Sequence, residues 1–530
     1  MQQNYIPFRD TGYFSSLISD YLDEKKELNP FYNRFPKLEN FKAQVEEKQQ
    51  SFSANSRAVL AARLEHQYKN IEASKSTLKN IELLKADNTF TITTGHQLNL
   101  FTGPLYFLYK IISTINLSNQ LKKAYPEYNF VPVYWMATED HDFEEINYFN
   151  FKGKKIQWNT TSQGAVGELY TNGLDRVLDL FSKDLGHGQN ADCLKTIFEN
   201  AYVKHDNLSA ATHYLANQLF KAYGLVIIDA NDAPLKEQFT PFIENELLNS
   251  TSYKTVAATN TQLEKTYNIQ VNPREINLFY LKENLRERLV FENGLYKVNN
   301  TAITFTKDAI LDEVKQHPER FSPNVIMRPL YQEVILPNLC YIGGGGELAY
   351  WLQLKPFFDA VKVPFPILLL RNSVLIQTEK QQEKLKKLNI SKADLFLKPD
   401  AFINKKVRQI SDIDIDFSPQ KEQLNKQFLA LYELAAQTDK SFLGAVKAQE
   451  VKQLKGLDHL EKRLLKAQKR KLADQVSRMR DLQRDLFPNG SLQERNSNFS
   501  EFYLEYGEAL IPNLIESLNP LKSEFSILTI

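Results

Sequence analysis

Short apolar runs rich in β-branched residues alternate, over the first 370 residues, with segments whose apolar residues recur every three or four positions. The short runs predict β-strands, and the repeat of three or four predicts helices. Strand, helix and strand in succession imply parallel strands joined by right-handed crossovers. The pattern therefore predicts a doubly wound α/β sheet. The predicted strands are 89–94, 129–136, 224–229, 333–342 and 365–370, and the predicted helices that follow them include 105–123, 209–223 and 347–361.

Other segments predict additions to this sheet. Residues 37–86 have the apolar spacing of one or two amphipathic helices. Residues 148–175 and 266–305 carry Gly, Asn, Thr and alternating patterns, which favour small insertions with β character. After residue 376 the composition turns to Lys, Gln, Leu, Glu and Ala. We therefore predict three parts, namely a core over 1–376, a helical domain over 377–490 and a segment that returns to the core over 491–530.

The helical domain has the pattern of an antiparallel coiled coil. Apolar residues step by four, three and four from Leu424 to Ala435, and a similar series runs from Leu472 to Leu486. We expect the two helices to turn near 437–441. The second helix, 441–486, carries twelve Lys or Arg residues against six Asp or Glu residues. A solvated coiled-coil face explains this charge better than an anion site does.

Composition excludes several classes of protein. The 65 basic and 64 acidic residues nearly balance, so no global field favours nucleic acid or an anionic membrane as a partner. Cys193 and Cys340 lie far apart without metal-ligand spacing, which argues against a disulfide framework and a structural zinc site. The N-terminus lacks the pattern of a secretory signal, and no apolar stretch reaches the length of a membrane span. We expect a cytoplasmic protein.

Ligands of open α/β sheets bind beyond the carboxyl ends of the strands, so the loops that follow the strands are the candidate sites. The first such loop is predicted over 95–103, between a strand and a helix whose N-terminus favours an anion. It offers substrate-binding candidates, although a structural role for its histidine is equally compatible with the pattern. These candidates are His96, Gln97, Asn99, Thr102 and Gly103.

The second loop places three carboxylates and an imidazole directly after a buried strand. Such a group is costly to bury unless it binds something or pairs internally. A solvated turn with an aspartate as helix cap is the plainer alternative, and pairing with Arg328 or Arg371 is another. One or two of the carboxylates would suit magnesium, whereas a fixed zinc site would need better-spaced ligands. The four candidate catalytic residues are Glu139, Asp140, His141 and Asp142.

Two further loops complete the set of candidates. A run of four glycines ahead of a helix could expose backbone N–H groups to a phosphate or carboxylate, although close packing of strand and helix also explains it. An arginine after the last strand of the sheet could clamp an anionic group. The candidates here are Gly343, Gly344, Gly345, Gly346, Glu347, Arg371 and Ser373, with Arg328 as a further basic residue.

Five motifs together are similar to a known family. The motifs are GHQLNLFTGPLYFLYKIIS (95–113), VPVYWMATEDHDFEEIN (131–147), YGLVIIDAND (223–232), RPLYQEVILPNLCYIGGGGELAYW (328–351) and LFPNGSLQERNSNF (486–499). In this order and spacing they resemble the cysteine ligase family of bacillithiol biosynthesis. The resemblance covers nearly the whole chain.

The resemblance implies a Rossmann-like core related to class I nucleotidyltransferases, with connecting insertions and a coiled-coil domain that promotes homodimerisation. It implies that cysteine is joined by an amide bond to glucosaminyl-malate in the last step of bacillithiol synthesis. ATP or ADP and Mg²⁺ are the cofactors that such a condensation would use, with a carboxylate or His141 assisting deprotonation of the amine. Members often carry Gln at the position of His96, which argues against an obligatory base there.

The chain departs from the nucleotidyltransferase motifs. Where that class has HxGH and KMSKS, this sequence has TTGHQ at 93–97 and only ISK at 390–392. Two alternatives to the ligase therefore stay open. One is a non-catalytic coiled-coil scaffold or product-binding partner of the same pathway. The other is a nucleotidyl or acyl transferase that acts on another sugar acid.

Overall fold

The structure, a computed structural model, describes residues 2–530. It divides into two compact units. The first contains the chain up to Arg9, Tyr13–Leu375 and Gln493–Leu528, and the second contains Asp10–Gly12, Ile376–Leu492 and Thr529–Ile530. The strands are β1 (Gln2–Pro7), β2 (Thr89–His96), β3 (Asn129–Met136), β4 (Tyr148–Phe151), β5 (Lys154–Gln157), β6 (Val226–Asp229), β7 (Leu278–Lys282), β8 (Leu285–Glu292), β9 (Leu295–Val298), β10 (Thr304–Phe305), β11 (Phe321–Pro323), β12 (Asn338–Gly343), β13 (Ile367–Leu370), β14 (Val374–Gln377) and β15 (Glu524–Thr529).

The first unit is built on a five-stranded parallel sheet with the order β13-β12-β2-β3-β6. β2 and β3 pair along their whole length, from Thr89 opposite Asn129 to His96 opposite Met136. Both strands are buried almost throughout, as parallel strands covered on two faces are. The prediction of a doubly wound α/β core is confirmed.

The strand order creates a crevice. β2 is the first strand of this sheet in the chain, and it lies between β3, the second, and β12, the fourth. The chain therefore leaves β2 in one direction for β3 and β6 and returns on its other side for β12 and β13. At such a switch point the loops diverge at the carboxyl ends of the strands and leave room for a ligand.

The boundaries of several elements differ from the predicted ones. β2 runs on through Gly95 and His96 because both pair with β3, so these residues are not part of a loop. The predicted strand over 333–342 begins only at Asn338, since residues up to Ile335 belong to a helix. Residues 37–86 form three helices, and the single helix predicted over 347–361 is two. The helices of the first unit are Ser16–Leu22, Asn40–Ser51, Ala54–Gln67, Lys75–Leu83, Tyr106–Ala124, Phe143–Ile146, Leu174–Leu185, Gln189–Phe198, Leu208–Phe220, Ala233–Glu237, Thr240–Asn249, Thr251–Leu263, Lys307–Gln316, Met327–Ile335, Gly345–Trp351, Lys355–Ala360, Gln493–Asn496, Phe499–Tyr506 and Leu510–Ser517, and Phe8–Thr11 crosses the boundary between the units.

Further sheets accompany the parallel one. β10, β9, β8, β7 and β11 form an antiparallel sheet in that order, and β4 and β5 form a hairpin. All of these strands except β11 lie within 148–175 and 266–305, the segments whose alternating pattern predicts β structure. β1, β15 and β14 form a three-stranded sheet with β15 in the middle. The core of the parallel sheet buries Phe90, Ile92, Leu117, Leu339 and Ile342.

The second unit is helical. Its helices are Glu379–Lys387, Lys392–Leu395, Pro399–Ile410, Ser418–Ala435, Lys440–Lys471 and Ala473–Leu486. The helices over 418–435 and 440–471 run antiparallel, because Tyr432 near the end of one donates to Glu450 near the start of the other, while Lys421 pairs with Glu461 further along. The predicted coiled coil is confirmed, with the difference that its second helix is interrupted at Leu472.

Asp439 caps the long helix Lys440–Lys471, and its side chain accepts hydrogen bonds from the backbone N–H groups of Ser441 and Phe442. Replacing Asp439 by Ala is expected to destabilise the first turn by about 1 kcal/mol, because those groups lose their acceptor. Faster amide hydrogen exchange at 441 and 442 would report the loss. Asp439→Asn, which keeps an acceptor oxygen, should leave exchange nearly unchanged. Equal exchange in the Ala and Asn variants would contradict this prediction.

Among residues 2–530, no helix combines the length and the apolar character that crossing a membrane requires.

Candidate active site

A cavity of about 680 Å³ lies at the carboxyl ends of the parallel strands in the first unit. Gly95 at the end of β2 and Tyr341 in β12 line it on the two sides of the switch point. The loops after β3 and β13 contribute further walls, and Phe279 from β7 closes it on the side of the antiparallel sheet. The cavity thus occupies the place at which the strand order predicts a ligand.

The lining is rich in basic side chains. Seven cationic groups face four carboxylates, and five of the cations have no carboxylate of the described chain within 4.0 Å. Guanidinium groups without a close carboxylate attract carboxylates and phosphates, although Arg286 already interacts at longer range with the charges of Glu139, Asp140 and Asp142. The five are Arg274, Arg286, Arg288, Arg328 and Arg495; the other two are Lys110 and Arg371, and the carboxylates are Glu139, Asp140, Asp142 and Glu347.

Neutral side chains hold the guanidinium of Arg328 in position at the cavity. It lies on the helix Met327–Ile335, and its guanidinium donates to Gln332 over 3.1 Å and to the hydroxyl of Tyr350 over 3.3 Å. The same group lies 5.9 Å from the ring centroid of Trp135 and 5.6 Å from that of Tyr341. Aromatic and amide contacts fix the guanidinium without cancelling its charge. Arg328 therefore presents a positioned positive charge to the cavity.

An ion pair between the buried Lys110 and the half-buried Glu347 sits at the switch point itself. The ammonium of Lys110 lies 2.6 Å from Glu347 and donates to the carbonyl of Gly95. Glu347 also accepts from the hydroxyl of Tyr341 over 2.6 Å and from the backbone N–H of Gly344 over 2.8 Å. Burial alone would raise the pKa of Glu347, but Lys110 and these hydrogen bonds outweigh burial and hold the pKa at about 2.

This arrangement corrects the interpretation of the glycine run. Gly343 ends β12 and the helix begins at Gly345, so the expected glycine loop is almost absent. A Cβ on Gly343 would come within 2.8 Å of the Leu348 side chain, which shows that close packing requires this glycine. The backbone N–H of Gly344 already donates to the carboxylate of Glu347. The start of this helix therefore does not offer an open cradle to an anion.

Arg371 is paired rather than free. Its guanidinium lies 2.8 Å from Glu494, and both side chains are almost fully buried. It also donates to the carbonyl of Asn372 and to the hydroxyl of Ser373. The expected clamp on an anionic ligand is thus largely engaged by the protein, although one edge of Arg371 lines the cavity.

The carboxylates after β3 have partners other than those considered from the sequence. Glu139 forms an ion pair with the buried ammonium of Lys236 over 2.5 Å. Asp140 accepts from the amide of Gln97 over 2.9 Å and from the backbone N–H of His141 over 2.7 Å. Burial would raise the pKa of Asp140, but the hydrogen bonds from His141 and Gln97 bring the pKa to about 2. Neither Arg328 nor Arg371 pairs with this loop.

Asp142 differs from its neighbours. Its side chain is 55 % exposed and forms no hydrogen bond that caps the short helix Phe143–Ile146. Burial and the charge of Asp140 raise the pKa of Asp142. The capping role considered from the sequence is therefore wrong, and Asp142 accepts a proton more readily than Asp140 does.

Arg286 reaches this loop from β8. Its guanidinium stacks on Phe279 at 3.9 Å and lies 2.5 Å from Nδ1 of His141. Because a guanidinium can only donate, Nδ1 accepts, and the proton of the neutral imidazole lies on Nε2. His141 therefore presents an N–H donor at its Nε2 edge.

The contact between Arg286 and His141 also affects whether this loop can bind magnesium. Asp140, His141 and Asp142 bring ligand atoms within 4.8 Å of one another. The Arg286 guanidinium already provides positive charge here and uses the lone pair of Nδ1. Magnesium prefers several oxygen ligands in near-ideal octahedral geometry. These residues therefore do not fit a resident magnesium ion, and we derive no step through one.

The remaining sequence candidates divide into two groups. His96 and Gln97 line the cavity, as do Gly344, Gly345 and Gly346. Burial and the charge of Lys110 put the pKa of His96 well below its usual range, so the imidazole is neutral. Those outside the lining are Asn99, Thr102, Gly103, Gly343 and Ser373.

Hydrogen bonds hold the segment over 99–103 away from the lining of the cavity. Asn498 donates to the carbonyls of Phe101 and Gly103, and Asn99 donates to the carbonyl of Glu145. These bonds fold the segment against the C-terminal part of the chain. Sequence position after a strand was a sound signal for His96 and Gln97, but it failed for residues fixed by partners almost 400 positions away.

Several lining residues were not among the sequence candidates. They come from the helices after β2 and β12, from the antiparallel sheet and the segment before it, and from the C-terminal segment, and they include Tyr106, Lys110, Arg274, Arg286, Arg288, Tyr350 and Arg495. Four of them, Tyr106, Lys110, Tyr350 and Arg495, lie within the quoted motifs, which was the available signal. The arginines of 266–305 gave none, because that segment was interpreted only as a β insertion.

Comparison with known proteins decides the family. A family model described as "Bacillithiol biosynthesis BshC, N-terminal Rossmann-like domain" matches residues 1–372, and one described as "Bacillithiol biosynthesis BshC, C-terminal coiled-coil domain" matches residues 374–530. The chain belongs to the BshC family. The resemblance described from the motifs is thereby confirmed, together with the Rossmann-like and coiled-coil architecture.

Relatives at high and at moderate sequence identity carry the same family name. A protein of Flavobacterium johnsoniae is 64 % identical over the full length of both chains, and one of Christiangramia forsetii is 61 % identical over 100 % of this chain and 99 % of its own. A protein of Staphylococcus saprophyticus is 31 % identical over 86 % of this chain and 88 % of its own. Each is named "Putative cysteine ligase BshC". BshC relatives thus match the Rossmann-like and coiled-coil parts together.

Proposed function

We propose that this chain is the ligase that joins the carboxyl group of cysteine to the amine of glucosaminyl-malate in the last step of bacillithiol biosynthesis. The observation that carries the proposal is the cavity at the switch point with its five arginines that lack a carboxylate partner. Malate contributes carboxylates, and an activated carboxyl group contributes phosphate. Both need the positive charge that these arginines supply.

Arg328 is the anchor of this anion site. It is half-buried, oriented by Gln332 and Tyr350, and unpaired among the described carboxylates. Arg274, Arg288 and Arg495 are exposed on the rim, where screening weakens each contact. We therefore assign Arg328 to a malate carboxylate and the rim arginines to the remaining negative charge of the substrates.

Amide formation needs an activated carboxyl group and a deprotonated amine. A nucleoside triphosphate such as ATP would supply the activation by giving a phosphate or nucleotide leaving group. The C–N bond then forms as the bond to that leaving group breaks, and the amine proton passes to a base. Asp142 fits the role because its pKa is raised, whereas Asp140 is too weakly basic. His141 donates from Nε2 to the developing oxyanion.

The proposal extends to a cytoplasmic homodimer that forms through the coiled coil. Exposed leucines support it, because Leu429 is 62 %, Leu434 is 55 % and Leu460 is 52 % exposed in the single chain. Exposed apolar side chains on both helices of the coiled coil support a protein interface there. Light scattering by the full chain should give twice the mass of one chain, and the mass of a single chain would contradict the dimer.

The direct test is synthesis from purified components. The full chain is incubated with glucosaminyl-malate, cysteine, ATP and magnesium, and bacillithiol is measured by mass spectrometry with each component omitted in turn. The proposal requires product that disappears when cysteine, glucosaminyl-malate or ATP is left out. Substrate binding without product under all conditions would count against a ligase and favour a binding partner of the pathway.

Arg328→Met is expected to raise the KM for glucosaminyl-malate by roughly 30-fold, since one charged hydrogen bond to the substrate is lost. Steady-state kinetics measure the change. Arg176→Met removes an exposed guanidinium that does not line the cavity and is the matched control. An unchanged KM in Arg328→Met would remove the anion site from the proposal.

A further inference from the structure

A second cavity of about 630 Å³ lies in the first unit, beside the carboxyl ends of β3 and β6. Met136 and Asp229, the last residues of these strands, line it, and the helix Leu208–Phe220 forms another wall. Thr138 lines this cavity and also the basic cavity described above. The second cavity plays no part in the function proposed above.

Two buried polar atoms in this wall lack a hydrogen-bond partner among the described residues. They are Nε2 of His213 and Oδ1 of Asn217, which lie one helical turn apart. The side chains belong to residues that are 6 % and 4 % exposed, and both line the cavity. An unsatisfied buried polar group costs about 1–3 kcal/mol, so such groups are normally paired. A ligand in the cavity would satisfy both.

The cavity has the opposite charge to the basic one. Three carboxylates, Glu72, Glu168 and Asp229, are among its lining residues, whereas no lysine or arginine of the described chain is. Burial raises the pKa of Glu168; Lys236, whose ammonium is paired with Glu139, lowers it; and the charges of Asp229, Glu283 and Glu139 raise it, so the net shift is upward. Burial lowers the pKa of His213 to about 3, so the imidazole adds no positive charge.

Three of the lining side chains, Asp229, Glu168 and Asn217, offer hydrogen-bond acceptors to a ligand. Asp229 already accepts from Thr138 over 2.6 Å and from Ser209 over 2.8 Å, so it contributes mainly its field. Glu168 has no hydrogen-bond donor among the described residues, and Oδ1 of Asn217 can only accept. An anion is therefore repelled here, while a cation with several donor groups is favoured.

We propose that this second cavity binds a small polyhydroxylated organic amine, with the ammonium group at Glu168 and hydroxyl groups at His213 and Asn217. The volume is sufficient for a ligand of sugar size. The proposal does not depend on the ligase function, because none of these three residues lines the basic cavity.

Three open-chain probes of equal size separate charge from shape. Glucamine carries an ammonium group at neutral pH, sorbitol is uncharged and gluconate is an anion. Isothermal titration of the full chain at pH 7.5 is expected to show the tightest binding for glucamine, weaker binding for sorbitol and the weakest for gluconate. Equal affinity for all three, or tightest binding of gluconate, would overturn the proposal.

Variants locate the binding. Glu168→Gln is expected to weaken glucamine binding by about tenfold, because a charged hydrogen bond is lost, while sorbitol binding changes little. Asn217→Leu should weaken both probes, and Glu168→Gln, at an exposed position, keeps the test valid if Asn217→Leu does not fold. Glu82→Gln is the matched control, since it removes an exposed carboxylate that does not line the cavity.

Arg328→Met separates this proposal from the ligase function. It should leave glucamine binding unchanged, because Arg328 lines only the basic cavity. Loss of glucamine binding in Arg328→Met, combined with normal binding in Glu168→Gln, would place the amine in the basic cavity and overturn the proposal. Failure of bacillithiol synthesis would leave it standing.

Discussion

Arg371→Met is expected to lower the free energy of unfolding of the first unit by about 3–5 kcal/mol, because it leaves the carboxylate of Glu494 buried without its partner. The Glu494 side chain is only 1 % exposed, so water cannot replace the guanidinium. Denaturant unfolding followed by tryptophan fluorescence measures this unit alone, since Trp135, Trp158 and Trp351 all lie within it.

Two further variants make the stability test specific. In the double variant Arg371→Met with Glu494→Met, the buried charge is absent and most of the lost stability should return. Lys85→Met breaks an exposed pair with Glu65, whose side chains are both 52 % exposed, and should change stability by less than about 1 kcal/mol. If Arg371→Met destabilises no more than Lys85→Met, the buried pair does not support the fold.

Asp142→Asn is expected to lower kcat for bacillithiol synthesis by about 1,000-fold, because loss of a general base typically costs 10²- to 10⁴-fold. The KM values should change little, since the anion-binding arginines are untouched. Asn has nearly the same size as Asp and the position is more than half exposed, so folding should be retained. Single-turnover measurements with saturating substrates test the chemical step directly.

The control for this prediction is Glu144→Gln, which removes an exposed carboxylate two residues away that does not line the cavity. It should keep near-normal kcat. A fall in kcat that is equal in the two variants would attribute the effect to net charge. Normal kcat in Asp142→Asn would transfer the base to another group, and Glu139 is the next carboxylate of the loop.

The strands of the core could be predicted because their apolar runs are unbroken. Residues 129–136 form a strand with the predicted bounds, even though Pro132 lacks a donor. The ends of helices and strands were harder to predict from the sequence, because pairing with a neighbouring element decides where they lie. His96 belongs to β2 only since Met136 lies opposite it, and no local property of the sequence contains that pairing.

The sequence identified residues of the candidate site only where polar or ionisable side chains stand at the end of a predicted strand. The rule placed Glu139 to Asp142 and His96 to Gln97 at the cavity. It could not find Arg286 or Arg288, because their position depends on how the antiparallel sheet packs. It also assigned Arg371 to a ligand, since its partner Glu494 follows 123 residues later.

That separation along the chain gives the core an order of assembly. The ribosome makes Arg371 before Glu494, and at 5–20 residues per second the intervening 123 residues take about 6–25 s. During this interval Glu494 has not yet been synthesised, so Arg371 lacks the carboxylate with which it is buried in the folded structure. The same later segment supplies Asn498, which holds the carbonyls of Phe101 and Gly103. The nascent Rossmann-like part must therefore wait for the whole helical unit to be synthesised before its own last contacts can close.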